Sequence, residues 1–407
     1  MSANKGDDRQ FGVRICRLKN GERLPLVVDA VGIPVPRANQ WAMLLRRPQV
    51  QENTLTDEMR TVAHVHEWAS RRCLDLEGRL QSGNGLTPAE ADALFQNLRY
   101  WRTSGRRVAG EPMVDARGLD IVDWKTHATR VAVARNYLLW GMEQTLYGLD
   151  VTDPRTQTVR ERCEMIRRRA FEFQRPGVDT KMPRRGLSKE LRNELLSVIE
   201  PDSPRNPFTR NVRFRNYVLI LMLLTYGFRR GEALKIKLSD ANVRGRSPRL
   251  SIVRRPGDPD DPRANPPAVK TLGRELPMHP QMARVLNEYI QFHRSQYPSA
   301  DDSPFLFLSS SGTPMSIRSV NAIFTQITKR HRQFAGVLVP HVLRYTYNDA
   351  LKETARSEGL DAQAFKAMQN YLNGWTLTSS QGDQYSRRAN EERAREISAK
   401  HQERIFQ

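Results

Sequence analysis

Cysteine is scarce in this chain, long apolar runs are missing, and acidic residues fall well short of basic ones. Only Cys16, Cys73 and Cys163 occur among 407 residues, far apart and with no CxxC pair. An odd, dispersed set argues against a disulfide framework and against a zinc site, and it fits a reducing cytoplasm. The longest apolar run, Tyr217 to Tyr226, is only half a membrane span, so it reads as a buried helix and no membrane partner is expected. The opening Met-Ser-Ala-Asn-Lys-Gly-Asp-Asp lacks the apolar core of a signal peptide, and a cytoplasmic protein is expected. There is no Walker A sequence, metal-ligand cluster, paired-carboxylate motif or internal repeat. No cofactor or metal is therefore expected.

What the chain has in quantity is positive charge. Lysine and arginine total 65 against 45 aspartates and glutamates, a formal net charge of +20. Such a charge opposes compaction, and a polyanionic partner is the natural reason to carry it. Arginine outnumbers lysine several-fold. Its planar guanidinium can grip a phosphate through two parallel hydrogen bonds, which an ammonium cannot. Nucleic acid is thus favoured over an anionic membrane. With 39% hydrophobic and 27% charged residues the chain reads as globular, and its length implies two or three domains.

The expected fold is mainly α with a small β-sheet. Val13–Leu18 and Leu24–Val28 flank Asn20-Gly21, a hairpin turn signal, so residues 1–45 read as a separate N-terminal hairpin or extension. Residues 46–175 read as a helical bundle. Thr61–Leu80 places Val62, Val65, Trp68 and Ala69 on one face; Thr87-Pro88 marks a helix start, and Ala132–Leu146 is a further helix. A basic, turn-rich linker spans 176–186. In 187–386, helices are expected from Ser188 to Ile199, Val212–Tyr226, Gln281–Gln296, Ser316–Arg330, His341–Ala355 and Ala362–Leu372. Strands are expected at Leu250–Val253 and Val269–Met278, with Pro277 confining the second to a sheet edge. Between them, Pro256–Pro267 is rich in proline and aspartate and reads as a disordered surface insertion. Residues 387–407 are expected to form a charged tail helix.

Four short motifs carry candidate chemistry. Tyr226-Gly227-Phe228-Arg229-Arg230-Gly231-Glu232 ends an apolar helix in a turn that holds Arg229, with Glu232 able to reach back to the guanidinium. His341 and Arg344 lie three apart and project from one helix face, suited to a single phosphate. Lys270 precedes Leu272-Gly273, which could tighten a hairpin and hold the lysine near its tip. A lysine there can serve as a general acid where neighbouring cations lower its pKa. Last come Trp375, which can pack over a phosphate, and Tyr385, a candidate nucleophile whose phenol those cations would help to ionise. Each motif alone also fits an ordinary structural role: a surface arginine, a solvated helix start, a solvated strand lysine, a core tryptophan or tyrosine.

Read in order, Arg229, Lys270, His341-x-x-Arg344, Trp375 and Tyr385 resemble the active site of the tyrosine recombinases, the lambda-integrase-like phage integrase family. The resemblance covers roughly Lys181 to the C-terminus, and Trp375 stands where many members carry a second histidine. It implies a mixed α/β catalytic domain that binds double-stranded DNA. Arg229 and Arg344 would hold the scissile phosphate, Lys270 and His341 would move protons, and Tyr385 would attack to form a 3′-phosphotyrosine. Residues 46–175 are similar to the helical core-binding domain that closes a clamp around DNA. The implied protein is a site-specific, metal- and ATP-independent integrase or transposase, nucleoid-associated and working as a tetramer on two duplexes, with residues 1–45 available to accessory proteins. Two other readings stay open: a non-catalytic DNA-bridging relative, and a monomeric relaxing enzyme like the type IB topoisomerases.

The tail supplies a test. Ala394, Ile397, Ala399, Ile405 and Phe406 stand among charges, so the segment is expected to dock on a neighbouring subunit. Deleting everything after Arg388 should leave single-site cleavage intact and impair tetramer-dependent strand exchange; unaltered exchange in a synapsis assay would refute this.

Overall fold

A computed structural model describes residues 10–45, 52–101, 114–174, 185–376 and 378–382. Tyr385 and the tail, 387–407, lie outside the described residues, as does most of the 176–186 linker. The chain divides into two compact units, residues 1–180 and 181–407. Among the described residues no helix is long and apolar enough to cross a membrane.

In the first unit, strands β1 (Phe11–Arg17) and β2 (Arg23–Asp29) form an antiparallel hairpin that pairs Arg14 with Leu26. Helices α1 (Pro36–Leu45), α2 (Glu52–Ser70), α3 (Leu76–Gln81), α4 (Pro88–Asn97), α5 (Trp124–Glu143) and α6 (Pro154–Phe173) follow. Although expected to stand apart, the hairpin shares the apolar cluster of this helical unit. Leu24 and Val27 join Trp41 of α1, Met59 and Val62 of α2, and Tyr137 of α5. Polar groups tie it down as well. Glu67 of α2 accepts the backbone N–H groups of Gln10 and Phe11 at 2.9 and 3.1 Å, and the Asn39 side chain bonds both the N–H and the C=O of Val27. One face of a two-stranded ribbon cannot be buried by the ribbon itself, so packing on α2 is what makes it stable.

The helical periodicity over Thr61–Leu80 resolves into two helices. The backbone leaves helical geometry at Cys73, whose φ is 53°, and Asp75 then caps α3 by accepting the Gly78 N–H at 3.0 Å. Thr87 caps α4 in a reciprocal box with Glu90, with Pro88 in the first turn.

The second unit contains α7 (Lys189–Ile199), capped by Ser188, then α8 (Arg210–Tyr226) and the short α9 (Arg230–Lys235). A three-stranded antiparallel sheet, β3 (Ala241–Asn242), β4 (Arg249–Ile252) and β5 (Arg274–Pro277), comes next, in the order β3-β4-β5. Helices α10 (Pro280–Glu288), α11 (Ile317–Arg330), α12 (Pro340–Ser357) and α13 (Ala362–Asn373) complete it. The helix expected over Gln281–Gln296 stays α-helical only to Glu288 and continues as a π turn and a 3-10 turn. The apolar α8 is buried as expected, with Val218, Leu219, Ile220, Met222 and Leu223 fully enclosed in one core that also takes Phe228, Tyr289, Phe305, Phe307 and Phe334.

Three expectations fail between β4 and β5. The second strand is shorter than Val269–Met278, beginning only at Arg274, so Lys270 lies outside the sheet. Leu272-Gly273 makes no tight hairpin; Leu272 N–H instead donates to the Gly374 carbonyl at 2.8 Å. Nor is Pro256–Pro267 a disordered insertion. Asp258 and Asp261 are buried, at 4% and 0% exposure, against Lys235, Lys237 and Arg263. Lys235 Nζ lies 2.9 Å from the Asp261 carboxylate, and Arg263 grips the same carboxylate through Nε at 2.8 Å and Nη2 at 2.7 Å. The aspartates that marked the segment as solvated are its anchors, because each meets a cation already fixed in the fold.

Burial pushes the Asp261 carboxyl up, but Arg263 and Lys235 outweigh it and bring it down to about 2 from 3.8. An unfolded chain therefore binds the proton more readily, and the stabilisation from this group is complete above pH 3.8 and fades as pH falls towards 2. Asp261→Asn should lower stability at neutral pH by about 3–5 kcal/mol, because two buried cations lose their anion. Urea unfolding should show that gap at pH 7 and a smaller one in strong acid; an equal gap at both would contradict the assignment.

Candidate active site

The end of α8 creates the site. Gly227 takes φ +61°, the left-handed geometry that stops a helix, and a Cβ there would lie 2.2 Å from the Tyr347 ring. Conformation and space both demand glycine, and the turn it makes delivers Arg229 to the start of α9.

Glu232, on α9, stands at the centre. Its Oε2 accepts the Arg229 backbone N–H at 2.7 Å and lies 3.7 Å from Arg344 Nη1. Its Oε1 accepts from Arg274 Nη1 at 2.9 Å and from the Thr271 hydroxyl at 2.6 Å. Glu232, Arg274 and Arg344 have no exposed side-chain surface. Burial pushes the Glu232 carboxyl up, but Arg274 and then Arg344, with bonds from Thr271 and the Arg229 backbone, more than reverse it, so the net direction is down. The carboxylate therefore stays ionised between two guanidiniums.

Arg344, on α12, is held on several sides. Nη1 donates to the Gly227 carbonyl at 2.5 Å and Nη2 to the Asn373 carbonyl at 3.2 Å, while the guanidinium lies 5.0 Å from the centre of the Trp375 ring. Below it, Asn348 Nδ2 donates to the Arg344 carbonyl at 2.8 Å, Asn373 Nδ2 donates to Asn348 Oδ1 at 2.9 Å, and Gln369 Nε2 donates to the same oxygen at 3.0 Å. These amides lock α12 to α13, and α13 ends at Gly374 so that Trp375 turns over the guanidinium.

The structure brings the Arg229 backbone and the Arg344 guanidinium to Glu232, and sets the Trp375 ring beside that guanidinium. Glu232 does not orient the Arg229 guanidinium, as its spacing had indicated. It holds the Arg229 backbone, and the half-buried Arg229 side chain instead donates from Nη2 to Gln381 at 3.2 Å. His341 sits one turn before Arg344 on α12, half-buried, with its ring edge-on to Tyr345 at 5.4 Å. The Lys270 side chain is exposed, next to the buried Thr271 that bonds Glu232. Tyr385 lies outside the described residues.

The other tyrosines near these motifs are committed elsewhere. Burial pushes the Tyr347 phenol up to about 12 even with Arg274 and Arg344 opposing, and its ring abuts Gly227. Tyr345 packs on His341. Tyr371 is 54% exposed and donates its hydroxyl to the Glu275 carbonyl at 3.0 Å. Sequence reasoning did not single out Arg274, Thr271, Asn348, Gln369 or Asn373. Only Arg274 left a trace, as an arginine at an inward-facing position of a short strand whose burial alternates.

Residues 193–376 match the phage integrase family. The chain is also similar in fold to the Tn1549 transposon integrase in complex with transposon right-end DNA, with a TM-score of 0.51 at 16% identity, covering 88% of this chain and 98% of that one. The same integrase in complex with circular intermediate DNA gives a TM-score of 0.50 at 16% identity, over 87% and 98% of the two chains. No curated protein matches the chain in sequence.

Removing the central charge tests the arrangement. Glu232→Gln leaves Arg274 and Arg344 facing each other without an anion, and should destabilise the second unit by about 3–5 kcal/mol. Thermal unfolding measures it. A variant as stable as the parent would mean the two guanidiniums do not need this carboxylate.

Proposed function

Because residues 193–376 form a phage integrase family domain, we propose that this chain is a site-specific recombinase that cuts and rejoins DNA through a phosphotyrosine at Tyr385. The observation that carries the reading is that one buried carboxylate, Glu232, holds both the Arg229 backbone and the Arg344 guanidinium, with the Trp375 ring set against Arg344. Fixed cations of this kind stabilise the charge that grows on a phosphate in the pentacoordinate transition state, and that preorganisation is the main source of rate.

In the proposed step the Tyr385 oxygen attacks the scissile phosphorus and its proton passes to His341. The bond from phosphorus to the 5′-oxygen breaks, and Lys270 gives that oxygen a proton. The products are a 3′-phosphotyrosine and a free 5′-hydroxyl. The reverse step with a different 5′-hydroxyl rejoins the strand, so bond energy is conserved and no nucleotide is consumed. Arg229 and Arg344 bind the non-bridging oxygens. The chain itself encloses Arg344, so its contact with a phosphate requires surrounding segments to part.

Several features suit duplex DNA. The net charge is +20, and a groove of about 690 Å³ along α11 is lined by Arg318, Asn321, Gln326, Lys329 and Arg330. Arginine, lysine, asparagine and glutamine are the side chains that pair with base edges and phosphates. The helical residues 46–175 would form the other jaw of a clamp, and a tetramer on two duplexes would provide strand exchange. Residues 1–45 remain a candidate surface for accessory proteins. The nucleoid is the expected place of action.

A nicked suicide substrate tests the chemistry. The parent protein should form a covalent DNA adduct that Tyr385→Phe abolishes; an adduct that survives this substitution moves the nucleophile elsewhere, and no adduct from the parent leaves only DNA binding. A synapsis assay run beside a plasmid-relaxation assay should show paired duplexes, whereas relaxation without pairing would select a monomeric relaxing enzyme.

A further inference from the structure

The connection from β4 to β5 runs from Val253 to Gly273 and carries Lys270. A lysine on so long a connection would ordinarily sample a wide volume. Here the connection is pinned along α9. At the C-terminal end of that helix, Asp261 is enclosed between Lys235 and Arg263, and Arg263 also donates through Nη1 to the carbonyls of Met315 at 2.6 Å and Leu234 at 3.2 Å. Beside it, Lys237 reaches Asp258 at 2.9 Å and Asp260 at 2.7 Å. At the N-terminal end, Thr271 bonds Glu232 at 2.6 Å, and Ala268 approaches Gly231 so closely that a Cβ there would lie 2.3 Å from the Ala268 carbonyl oxygen. The chain thus runs back along α9, from the Lys235 end to the Glu232 end. Only Ala264 to Pro267 lies between Arg263 and the Ala268–Thr271 stretch held against the start of α9, Pro266-Pro267 stiffens that interval, and Lys270 falls inside the held stretch.

We propose that the buried ion cluster around Asp261 is a brace that sets the reach of Lys270, which makes Asp261, Lys235 and Arg263 positioning residues for protonation of the departing 5′-oxygen. This rests on the reading of Lys270 as the general acid. Solvation cannot explain the cluster, since burying this many charges costs free energy that a hydrophobic contact would not. What ion pairs supply is a directional anchor: Arg263 meets Asp261 through two bonds and the backbone of two further segments through others, so the strap has one place to sit. The Asp261 carboxyl, held at about 2, keeps its charge across the range in which DNA is handled. A proton donor misplaced by about 1 Å loses rate out of proportion to any loss of binding.

The test uses DNA with a sulfur atom in place of the bridging 5′-oxygen, whose thiolate leaves without needing a proton. On ordinary DNA, Lys270→Met should cut cleavage severely and Asp261→Asn should cut it about tenfold or more. On the sulfur substrate both should return close to the parent rate, and the double variant on ordinary DNA should be no slower than Lys270→Met alone. Asp260→Asn removes only the exposed partner of Lys237, so it guards against misfolding of the buried variant; a smaller loss, erased by sulfur in the same way, is expected. The brace is refuted if Lys270→Met is rescued while the Asp261 and Asp260 losses persist on sulfur. Undiminished cleavage of ordinary DNA by both folded aspartate variants refutes it equally. If Lys270→Met is itself not rescued, the acid assignment falls and the brace falls with it.

Discussion

The second unit is organised around one carboxylate held between two guanidiniums. Glu232 is fully enclosed, and so are Arg274 and Arg344. Left alone, any of the three would carry the desolvation cost of a buried charge, which for a single ion amounts to several kcal/mol. Together they constrain each other, and every element near the site is tied to one of them. The backbone of Arg229 bonds Glu232; Gly227 and Asn373 carbonyls bond Arg344; the Leu372 carbonyl accepts from Arg274 Nε at 2.8 Å. Charge here serves to specify geometry rather than to add stability.

The short helix α9 joins this hub to a second buried cluster. Glu232 meets Arg344 from the first turn, and Lys235 meets Asp261 from the last. Six residues thus connect two ionic anchors, and the strap that carries Lys270 is fastened at both. Rigid support of this sort matters for a reaction whose groups come from distant parts of the chain, because catalysis depends on placement at the scale of a hydrogen bond. The amide network of Asn348, Gln369 and Asn373 gives Trp375 comparable support from the other side.

Much of this was legible in residue patterns. The helices α7, α11 and α13 have apolar periodicity and capping side chains, with Ser188 and Ser316 as examples, while α8 is an apolar run closed by Gly227, and local signals of that type survive folding. The turn at Gly227 before Arg229 and the placement of His341 and Arg344 one turn apart on a helix could also be read, because spacing on one helix or in one turn is a local property. Two kinds of feature were not legible. The hairpin of residues 11–29 looked independent because nothing near it in sequence announces Glu67 or Asn39 as its partners. Pro256–Pro267 looked solvated because proline and aspartate usually are. Its anchors, Lys235 and Lys237, lie in a different element, and no periodicity links them to it.

From the sequence alone came the excess of cationic groups, the mainly helical character, and the identity and order of the groups proposed to act on a phosphate. These follow from composition and from contacts within a few residues, which the chain specifies before it folds. Tertiary structure decided what each charge is for: Glu232 holds Arg274 and Arg344 rather than the Arg229 side chain, and Asp261 fastens a strap instead of meeting water. Those roles depend on which ions are buried together. Burial is set by packing between segments scores of residues apart, and the strength of an ionic contact changes many-fold with the solvent it loses.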